Sequence, residues 1–552
     1  MCIDFEKAFD SLSWKFLYKV LSFFGYTENF IKWIKLFNTD IKAYVLQCGF
    51  LSKEIKIGRG CRQGDPISSY LFLLGAEILT RLILLNPNIS GLKIDGNEFK
   101  LTQFADDTTL ILDGTEHSLQ TALNTLEIFG NLSGLKMNKE KTKVIWIGSR
   151  KHCKDKLNVS VKLDWGDTEF TALGFRFSTN LSEIPSLNYN KALHNIRIEI
   201  NKWKNRALTP IGKISLIKSN LISKCVHLLT SLERSETFLR DLNTELYKFL
   251  WNNKPDKIKR SVICKDTSDG GMKMVNIYAF EKALKVTWIQ RCLKQPETQW
   301  HKLFQSICDN KYDRLFTFGN EWCFHLAQAL SNKFWKNVLL DWHYLCKRQI
   351  PTNNSKIMES TIWYNSKICN KETFFSDWYN KGICVVGDII DSSGRVIGFD
   401  DLKNKYKCNF NILNYYTVKA KVTSYVKKYQ KGDDLFCFAE PAAPLHVQTF
   451  FHARPGCKSL YKLLTSDTTD KPLCERIWSP FLSSDLNDYD INVKWKLIYS
   501  NCFKSVQDNH FVWFQYRILY KILGTKEYLK KVNLSNDKLC GLCSLCDRDY
   551  SL

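Results

Sequence analysis

The sequence predicts an α+β fold, in which an antiparallel sheet with packed helices is followed by a mainly helical region. Over residues 1–180, apolar residues alternate between strand spacing and helix spacing. From about residue 185 the helical spacing dominates. The composition, 44% hydrophobic and 24% charged, is that of a globular protein. Strands and helices in this order form layers around a shared core.

The first elements are helices and a short hairpin. Residues 14–38 have helical spacing that is broken near Gly25. Residues 43–60 predict a hairpin that leads into a glycine-rich turn. The long apolar helix that follows is predicted to begin at Asp65, with Pro66 at its first position.

Two adjacent aspartates interrupt the next hairpin. Residues 99–112 predict two strands that join at Asp106 and Asp107. Residues 116–134 form an amphipathic helix pattern. The segments 142–149 and 171–178 each predict a strand.

The chain becomes basic and aromatic after the predicted sheet. We place a boundary near residues 252–271 and predict helical bundles over about 275–550. A strand pair is a further possibility around residues 381–399.

Positive charge is concentrated outside the first third of the chain. The net charge is +23. Residues 1–180 hold 23 Lys and Arg against 20 Asp and Glu, which leaves +20 for the remainder. A polyanionic partner such as nucleic acid would explain this distribution, and lysine-rich solubility is the alternative.

Composition also bears on location. The start of the chain has acids where a signal peptide has basic and then apolar residues. We find no uninterrupted apolar run that predicts a membrane span. Twenty cysteines without a disulfide pattern indicate reduced thiols. We therefore expect an intracellular protein, in the nucleus or the cytoplasm, that is neither secreted nor membrane-bound.

The two aspartates suggest a metal site. Aspartate is common in solvated turns, but tight hairpin turns prefer Gly or Asn, and this turn has neither. Two like charges about 4 Å apart repel by roughly 4 kcal/mol at an effective dielectric constant near 20. A divalent cation would reverse that repulsion. Asp4 follows a short apolar start and supplies a third carboxylate if its strand pairs beside the hairpin.

Five segments together resemble a known family. They are "IDFEKAFDSLSW", "GRGCRQGDPISSYLF", "QFADDTTLI", "SGLKMNKEKTKVIWIG" and "ALGFRF". Their order and separations resemble the palm motifs of reverse transcriptases, most closely those of non-long-terminal-repeat (LINE-type) retrotransposons. The resemblance is strong over residues 1–180, fair to about 290 and faint beyond.

The resemblance implies a domain order. It implies a polymerase palm over 1–180, a helical thumb over 185–260 and a helical, aromatic-rich region over 261–530. The last segment, 531–552, resembles an incomplete, cysteine-rich zinc knuckle.

The resemblance also implies catalytic roles. Asp4, Asp106 and Asp107 match the carboxylates that bind two Mg²⁺ ions for transfer of a nucleotide to a primer 3′-hydroxyl. Phe9 matches the steric gate that favours deoxynucleotides, and a plain core aromatic is the alternative. Asp10 matches a further motif position, but we favour a helix cap for it.

Other residues match nucleotide-contacting and nucleic-acid-contacting positions. Those around the nucleotide are Arg62, Gln63, Gly64 and Lys141. Leu173 and Gly174 resemble the primer-grip hairpin. A charged helix face is the alternative for the basic thumb residues, which are Lys202, Lys204, Arg206, Lys213 and Lys218. These matches imply an RNA template, a DNA primer and deoxynucleoside triphosphates as partners.

The terminal cysteines resemble the start of a zinc knuckle. Cys540 and Cys543 form a Cys-x₂-Cys pair, but the His and second Cys of the family pattern do not follow before Leu552. Because a structural zinc site is closed by four ligands, we do not expect a complete Zn²⁺ site.

Family members have a fingers subdomain before the Asp4 motif, whereas here Met1 lies three residues before Asp4. The expectation is thus an N-terminally truncated reverse transcriptase with impaired activity. The alternatives are a non-catalytic nucleic-acid-binding remnant and a product that does not fold stably.

Overall fold

The computed structural model describes residues 1–531, apart from several gaps. Contacts divide the chain into two compact units, Met1–Asn188 and Tyr189–Leu552. The first unit contains small, mainly antiparallel sheets and packed helices, and the described part of the second is mainly helical. The predicted α+β class is therefore confirmed. The gaps are residues 167, 295–297, 310, 313, 352, 392, 431–455, 467–469, 485–493 and 505–506.

The strands of the first unit are short. In chain order they are β1 Cys2–Ile3, β2 Lys42–Ala43, β3 Leu46–Gln47, β4 Phe50–Leu51, β5 Ile55–Lys56, β6 Leu92–Ile94, β7 Asn97–Phe99, β8 Leu101–Phe104, β9 Asp107–Leu110, β10 Lys143–Val144, β11 Asp164–Trp165, β12 Glu169–Ala172 and β13 Phe175–Ser178.

The α-helices of the first unit precede and follow these strands. They are α1 Ala8–Ser11, α2 Trp14–Phe23, α3 Glu28–Phe37, α4 Ser68–Leu85 and α5 Glu116–Ser133, and α6 Ile184–Trp203 continues into the second unit.

The α-helices described in the second unit are mostly short. They are α7 Pro210–Leu216, α8 Val226–Ser231, α9 Glu236–Trp251, α10 Arg260–Ile263, α11 Ile277–Lys294, α12 Gln299–Ile307, α13 Arg314–Thr317, α14 Asn320–Ala329, α15 Lys333–Arg348, α16 Asn354–Met358, α17 Ser376–Asn380, α18 Phe399–Tyr406, α19 Ile412–Tyr429, α20 Lys458–Thr465, α21 Leu473–Ser484, α22 Trp495–Lys504, α23 Asn509–Leu519 and α24 Lys526–Lys531.

The central sheet brings distant segments together. Its strand order is β11-β10-β1-β9-β8. Strand β1 pairs antiparallel with both β9 and β10, although both follow it by more than a hundred residues. Strands β8 and β9 form a hairpin, and β10 and β11 run parallel. The N-terminal strand therefore lies in the middle of the sheet.

One face of this sheet is covered by helices. Side chains alternate between the two faces of a strand, so Ile3 and Phe5 point to the same side. Both are buried in a core that α2, α4 and α5 complete. Leu17, Phe72 and Phe129 are examples from these three helices. Side chains on the opposite face of the central sheet do not contribute to this core, so polar residues can occupy those positions.

Local signals explain the helix boundaries. Ser13 and Thr27 cap α2 and α3 by accepting backbone N–H groups, and α3 begins after Thr27 as the break at Gly25 predicts. Helix α4 begins at Ser68, two to three residues later than predicted, because Asp65 and Pro66 form a turn in which Asp65 Oδ1 accepts the Ile67 N–H.

The apolar helix α4 corrects the expectation about membrane spans. Ser68–Leu85 is long and apolar enough to cross a membrane by length and composition alone. Leu71, Phe72 and Leu79 of this helix are nevertheless buried in the core. We therefore interpret α4 as a core helix.

Three strand predictions differ from the structure. Only Lys143–Val144 of segment 142–149 is a strand. Segment 171–178 contains a hairpin turn at Leu173 and Gly174. Around 381–399, the described residues contain a bridge between Ile390 and Val396 in place of a strand pair. Apolar runs of this kind do not distinguish strands from buried loops by periodicity alone.

The second unit holds a buried ionic cluster. Glu281, Lys285 and Asp341 are each at most 3% exposed. The Arg234 guanidinium donates to both Glu281, at 2.8 Å, and Asp341. Lys285 Nζ donates to the Leu229 carbonyl at 2.6 Å. Each charge therefore has partners inside the bundle, which offsets the cost of its desolvation.

Gly60 provides a test of the packing that holds the glycine-rich loop. It has φ +94°, and a Cβ there would lie 2.8 Å from the Asp10 carbonyl oxygen. We expect Gly60→Ala to destabilise the first unit by about 2–4 kcal/mol, because the strain of positive φ adds to a backbone clash. Hydrogen exchange of peptides from residues 1–188 measures this loss.

The matched control is Gly58→Ala. A Cβ at Gly58 has no atom within 4 Å, and its φ is not in the left-handed region. Equal protection in the two variants would contradict the packing described for Gly60.

Candidate active site

The two aspartates lie at the tip of the β8–β9 hairpin. Phe104 and Asp107 form the last pair, so Ala105 and Asp106 are the turn residues. Ala105 adopts φ +53°, a conformation that favours glycine. The turn therefore stores backbone strain, a feature that is concentrated at functional sites.

Strand register brings Asp4 to the same place. Cys2 pairs with Thr109 and Ile3 with Thr108, so the next position sets Asp4 opposite Asp107. Ile3 and Thr108 are buried, and Asp4 and Asp107 therefore project from the other face. Asp4 and Asp107 therefore lie at the same end of neighbouring strands, on the side away from the helices, and Asp106 lies beside them in the hairpin turn.

Asp4 is also fixed from its other side. Its N–H donates to Thr142 Oγ1 at 3.3 Å, and its carbonyl accepts the Asn138 N–H at 2.8 Å. Asn138 Oδ1 in turn accepts the N–H groups of Glu140 and Lys141. Sequence reasoning missed the anchoring residues Asn138 and Thr142. The available signal was that Asn favours turns of this type.

The pKa of Asp107 is raised by its surroundings. Partial burial raises the pKa of Asp107, and the negative charges of Asp106 and Asp4 raise it further. Among the described residues, no group of three or more His, Cys, Asp or Glu side chains is arranged to hold a metal ion. The donors at this edge are hard carboxylate oxygens, which suit Mg²⁺ when phosphate oxygens and water complete its shell.

The glycine-rich loop docks onto the segment that follows Asp4. Cys61 N–H donates to the Phe9 carbonyl at 2.6 Å, and Trp14 Nε1 donates to the Gly60 carbonyl at 2.8 Å. Phe9 is half-buried and stacks on Phe72 with ring centroids 4.3 Å apart. Phe9 therefore packs against the core, as the alternative interpretation of this residue expects. Its role as a steric gate beside the nucleotide stays a prediction.

The loop residues themselves are exposed. Arg62 Nη2 donates to the Phe37 carbonyl at 3.2 Å and lies 3.8 Å from the Asp65 carboxylate. Gln63 is exposed, and Gly64 has φ +88°. A positive φ at Gly64 is what allows the chain to turn into the α4 segment.

The remaining palm positions lie on turns. Lys141 is exposed on the turn held by Asn138. Leu173 and Gly174 form the β12–β13 turn, with φ +51° and +78°. Asp10 lies inside α1, and Ser13 caps the next helix, so the cap interpretation of Asp10 is wrong.

Four of the basic thumb residues are exposed. Lys202 lies 3.5 Å from Glu199, and the Arg206 guanidinium lies 4.9 Å from the Trp203 ring centroid. Lys204 and Lys218 are also exposed. These four side chains remain predicted phosphate contacts.

Lys213 is a correction to the sequence prediction. It is 2% exposed, and its ammonium donates to the Phe249 carbonyl at 2.9 Å and to Asn252 Oδ1. Burial lowers its pKa. Its charge satisfies the C-terminal end of α9, so it is not available to a phosphate. Cys540 and Cys543 lie outside the described residues.

Comparison with known proteins agrees with the resemblance that the sequence motifs indicate. Residues 1–177 match the family described as "Reverse transcriptase (RNA-dependent DNA polymerase)". The chain is 25% identical over 378 residues to the Transposon TX1 uncharacterized 149 kDa protein of Xenopus laevis, covering 66% of this chain and 28% of that protein.

Two further relatives are Pol polyproteins. The chain is 24% identical to the retrovirus-related Pol polyprotein from type-2 retrotransposable element R2DM of Drosophila melanogaster, covering 61% of this chain and 32% of that protein. It is 27% identical to the retrovirus-related Pol polyprotein from type-1 retrotransposable element R2 of Popillia japonica, covering 43% and 34%. The chain therefore spans about a third or less of the lengths of these relatives.

Charge repulsion at the sheet edge makes a prediction about stability. The folded-state pKa of Asp107 lies above its ordinary value, so ionising this carboxyl costs stability. In metal-free buffer near pH 7, we expect Asp107→Asn to raise the melting temperature. The gain should be less than about 1 kcal/mol, because Asp107 is exposed and solvent screens its charge.

The pH dependence tests whether ionisation of Asp107 is the source of the stability difference. The difference between Asp107→Asn and the unchanged chain should be smallest near pH 4 and grow as pH rises and Asp107 ionises. Thermal unfolding in a chelator-containing buffer from pH 4 to 7.5 measures it, with Asp40→Asn in an exposed turn as control. A difference that is constant over this range would contradict the repulsion.

Proposed function

We propose a function from the premise that residues 1–177 form a reverse transcriptase domain of the type carried by non-long-terminal-repeat retrotransposon Pol proteins. The proposed function is that of an RNA-directed DNA polymerase, with Asp4, Asp106 and Asp107 as its catalytic carboxylates. The observation that supports the assignment is the register of β1 on β9, in which Ile3 pairs with Thr108, so that the next residues are Asp4 and Asp107. Because the chain spans only about a third of the lengths of these relatives, its substrates and partners are part of the proposal.

Reverse transcriptases use divalent metal ions, and here we propose two Mg²⁺ ions. When bound, such ions lower the pKa of the attacking 3′-hydroxyl and stabilise charge on the leaving pyrophosphate. The donor chemistry of the three carboxylates fits Mg²⁺, which usually takes only one or two protein carboxylates beside substrate phosphates. Partial burial raises the pKa of Asp107 most, and the negative charges of Asp106 and Asp4 raise it further. A bound cation would relieve the repulsion between these charges, which supports the same assignment.

The protein's own contribution is positioning. Hydrogen bonds from the Asn138 turn and to Thr142 hold Asp4, and the strained turn at Ala105 holds Asp106. Rigid placement of this kind supplies much of the rate enhancement in phosphoryl transfer. We propose that Lys141, on the same turn as Asn138, acts near the departing pyrophosphate.

The nucleotide and the nucleic acid would contact the surrounding surfaces. We propose that Arg62, Gln63 and Gly64 lie under the incoming nucleotide and the template, and that Leu173 and Gly174 guide the primer. The exposed basic residues of the second unit would contact phosphates and fix position without reading sequence. These are Lys202, Lys204, Arg206 and Lys218.

We propose a cellular setting that follows from these substrates. An RNA template, a DNA primer and deoxynucleoside triphosphates are available together in the nucleus and the cytoplasm. The free cysteines of the described residues are compatible with such a reducing compartment.

Substitution of Asp106 tests the proposed function. We expect the full chain to extend a DNA primer on an RNA template with Mg²⁺. Asp106→Asn should reduce incorporation by at least about a hundredfold. The substitution removes one of the negative charges that would hold the metal ions beside the reacting phosphate. Single-nucleotide primer extension resolved on gels measures this.

The control variant is Asp40→Asn, which makes the same change in an exposed turn and should leave incorporation unchanged. Incorporation that persists in Asp106→Asn would contradict the site. Salt-dependent binding without incorporation in any variant would instead identify a nucleic-acid-binding remnant.

Phe9 tests nucleotide selection. If its ring crowds the ribose 2′-hydroxyl, Phe9→Val should increase ribonucleotide incorporation relative to deoxynucleotide incorporation by about tenfold, which corresponds to about 1.4 kcal/mol. Primer extension with each nucleotide type measures the ratio. Phe72→Leu removes the ring on which Phe9 stacks and is the packing control; an equal change in both variants would assign Phe9 to the core alone.

A further inference from the structure

The second unit contains a large open cleft that the palm chemistry does not use. Its walls come from the segment around Lys257, the start of α21 and the segment around Lys521. Its volume is about 1210 Å³. That exceeds the roughly 300–1,000 Å³ of pockets that enclose small molecules. The size therefore favours a segment of a polymer.

The lining of the cleft is basic. Lys257, Lys259, Lys471, Arg476 and Lys521 all line it. The two acids of the lining are already engaged by other groups. Asp256 accepts from Arg260 at 2.6 Å, and Glu475 accepts from the Tyr499 hydroxyl at 2.9 Å.

Three of these cations are uncompensated. Lys257, Lys471 and Arg476 are exposed and have no hydrogen-bond or ion-pair partner for their side chains within the described ranges. By contrast, Lys259 contacts Asp470 at 2.6 Å. Partial burial lowers the pKa of Lys257, and the charges of Lys254 and Arg517 lower it further. An anion in the cleft would offset this crowding of positive charge.

Aromatic side chains lie beside these cations. Trp495 and Tyr528 line the same cleft and are partly exposed. The Trp495 ring is held in place by stacking on Tyr499, with ring centroids 5.8 Å apart and planes at 29°. Basic grooves with interspersed aromatic rings bind single-stranded nucleic acid, because phosphates meet the cations and unpaired bases stack on the rings.

We propose that this cleft binds a single-stranded segment of nucleic acid. The phosphates contact Lys257, Lys471 and Arg476, and the bases stack on Trp495 and Tyr528. Bases in a duplex are already stacked and paired, so the aromatic wall selects against duplexes. The proposal rests on the cleft itself and does not require that the chain polymerise.

Charge reversal tests the cleft. We expect the full-length triple variant Lys257→Glu, Lys471→Glu and Arg476→Glu to bind a fluorescent 15-nucleotide strand at least about tenfold more weakly. The slope of log K against log salt should become shallower by about 2, since each lost phosphate contact contributes roughly 0.7 for single strands. Fluorescence anisotropy with RNA, DNA and duplex of one sequence distinguishes the strand types.

A matched control has the same net charge. Lys302, Lys371 and Lys381 are exposed in the second unit and do not line the cleft. Reversing these three should leave single-strand affinity within about twofold of the unchanged chain. Equal losses in the two triple variants would assign the binding to overall charge and overturn the proposal.

Cross-linking of the unchanged chain gives a second measurement, which does not depend on the folding of a variant. Ultraviolet cross-linking to a single strand, followed by mass spectrometry, should identify peptides that contain Trp495, Tyr528 or Lys257. Cross-links confined to residues 1–188 would overturn the proposal.

The polymerase variant separates the two proposals. Asp106→Asn should leave cleft cross-links intact even where it abolishes incorporation. If the unchanged chain incorporates nucleotides but forms no cross-links in the cleft, the cleft proposal is overturned and the polymerase proposal is not.

Discussion

The pairing of strand Cys2–Ile3 between two strands from much later in the chain is the constraint on which the first unit depends. Because it pairs with both neighbours, it sets the register of the hairpin and of the Asn138–Thr142 turn at the same time. A slip of one residue would turn Asp4 into the core and Ile3 out to solvent. Burial of Ile3 and Phe5 therefore fixes the position of the proposed catalytic carboxylate Asp4 as well as the core.

In the part of the chain that the structure describes, charged side chains are paired in one region and lack compensating charges in two others. In the second unit, Arg234, Glu281, Lys285 and Asp341 are buried but partnered, which makes their cluster structural. At the sheet edge, carboxylates repel one another beside a strained turn. In the cleft, Lys257, Lys471 and Arg476 face solvent without an ion-pair partner among the described residues. Proteins retain such unfavourable electrostatic interactions where a ligand of opposite charge will offset them. The carboxylates suit metal ions that bind phosphate groups, and the cations of the cleft suit the phosphates themselves.

Sequence reasoning succeeded where the signal is local. The hairpin with two aspartates, the break at Gly25 and the cap at Thr27 each depend on a few neighbouring residues. It failed where a residue's environment is set by distant segments. Lys213 has the same local pattern as the exposed thumb cations, yet α9 buries it. Asp10 lies beside a predicted helix start but inside a short helix of its own.

The sequence by itself determined which residues the proposed chemistry uses: three aspartates, their order along the chain and the motifs around them predict a reverse transcriptase palm. Alternation along strands is a property of adjacent residues, so the faces of Asp4 and Asp107 relative to their strand neighbours were also encoded locally. Only the tertiary structure decided which strand lies in the middle of the sheet, what anchors Asp4, and which cations remain free. Those outcomes depend on contacts between residues that are 36 to 138 positions apart, and no local pattern encodes such contacts.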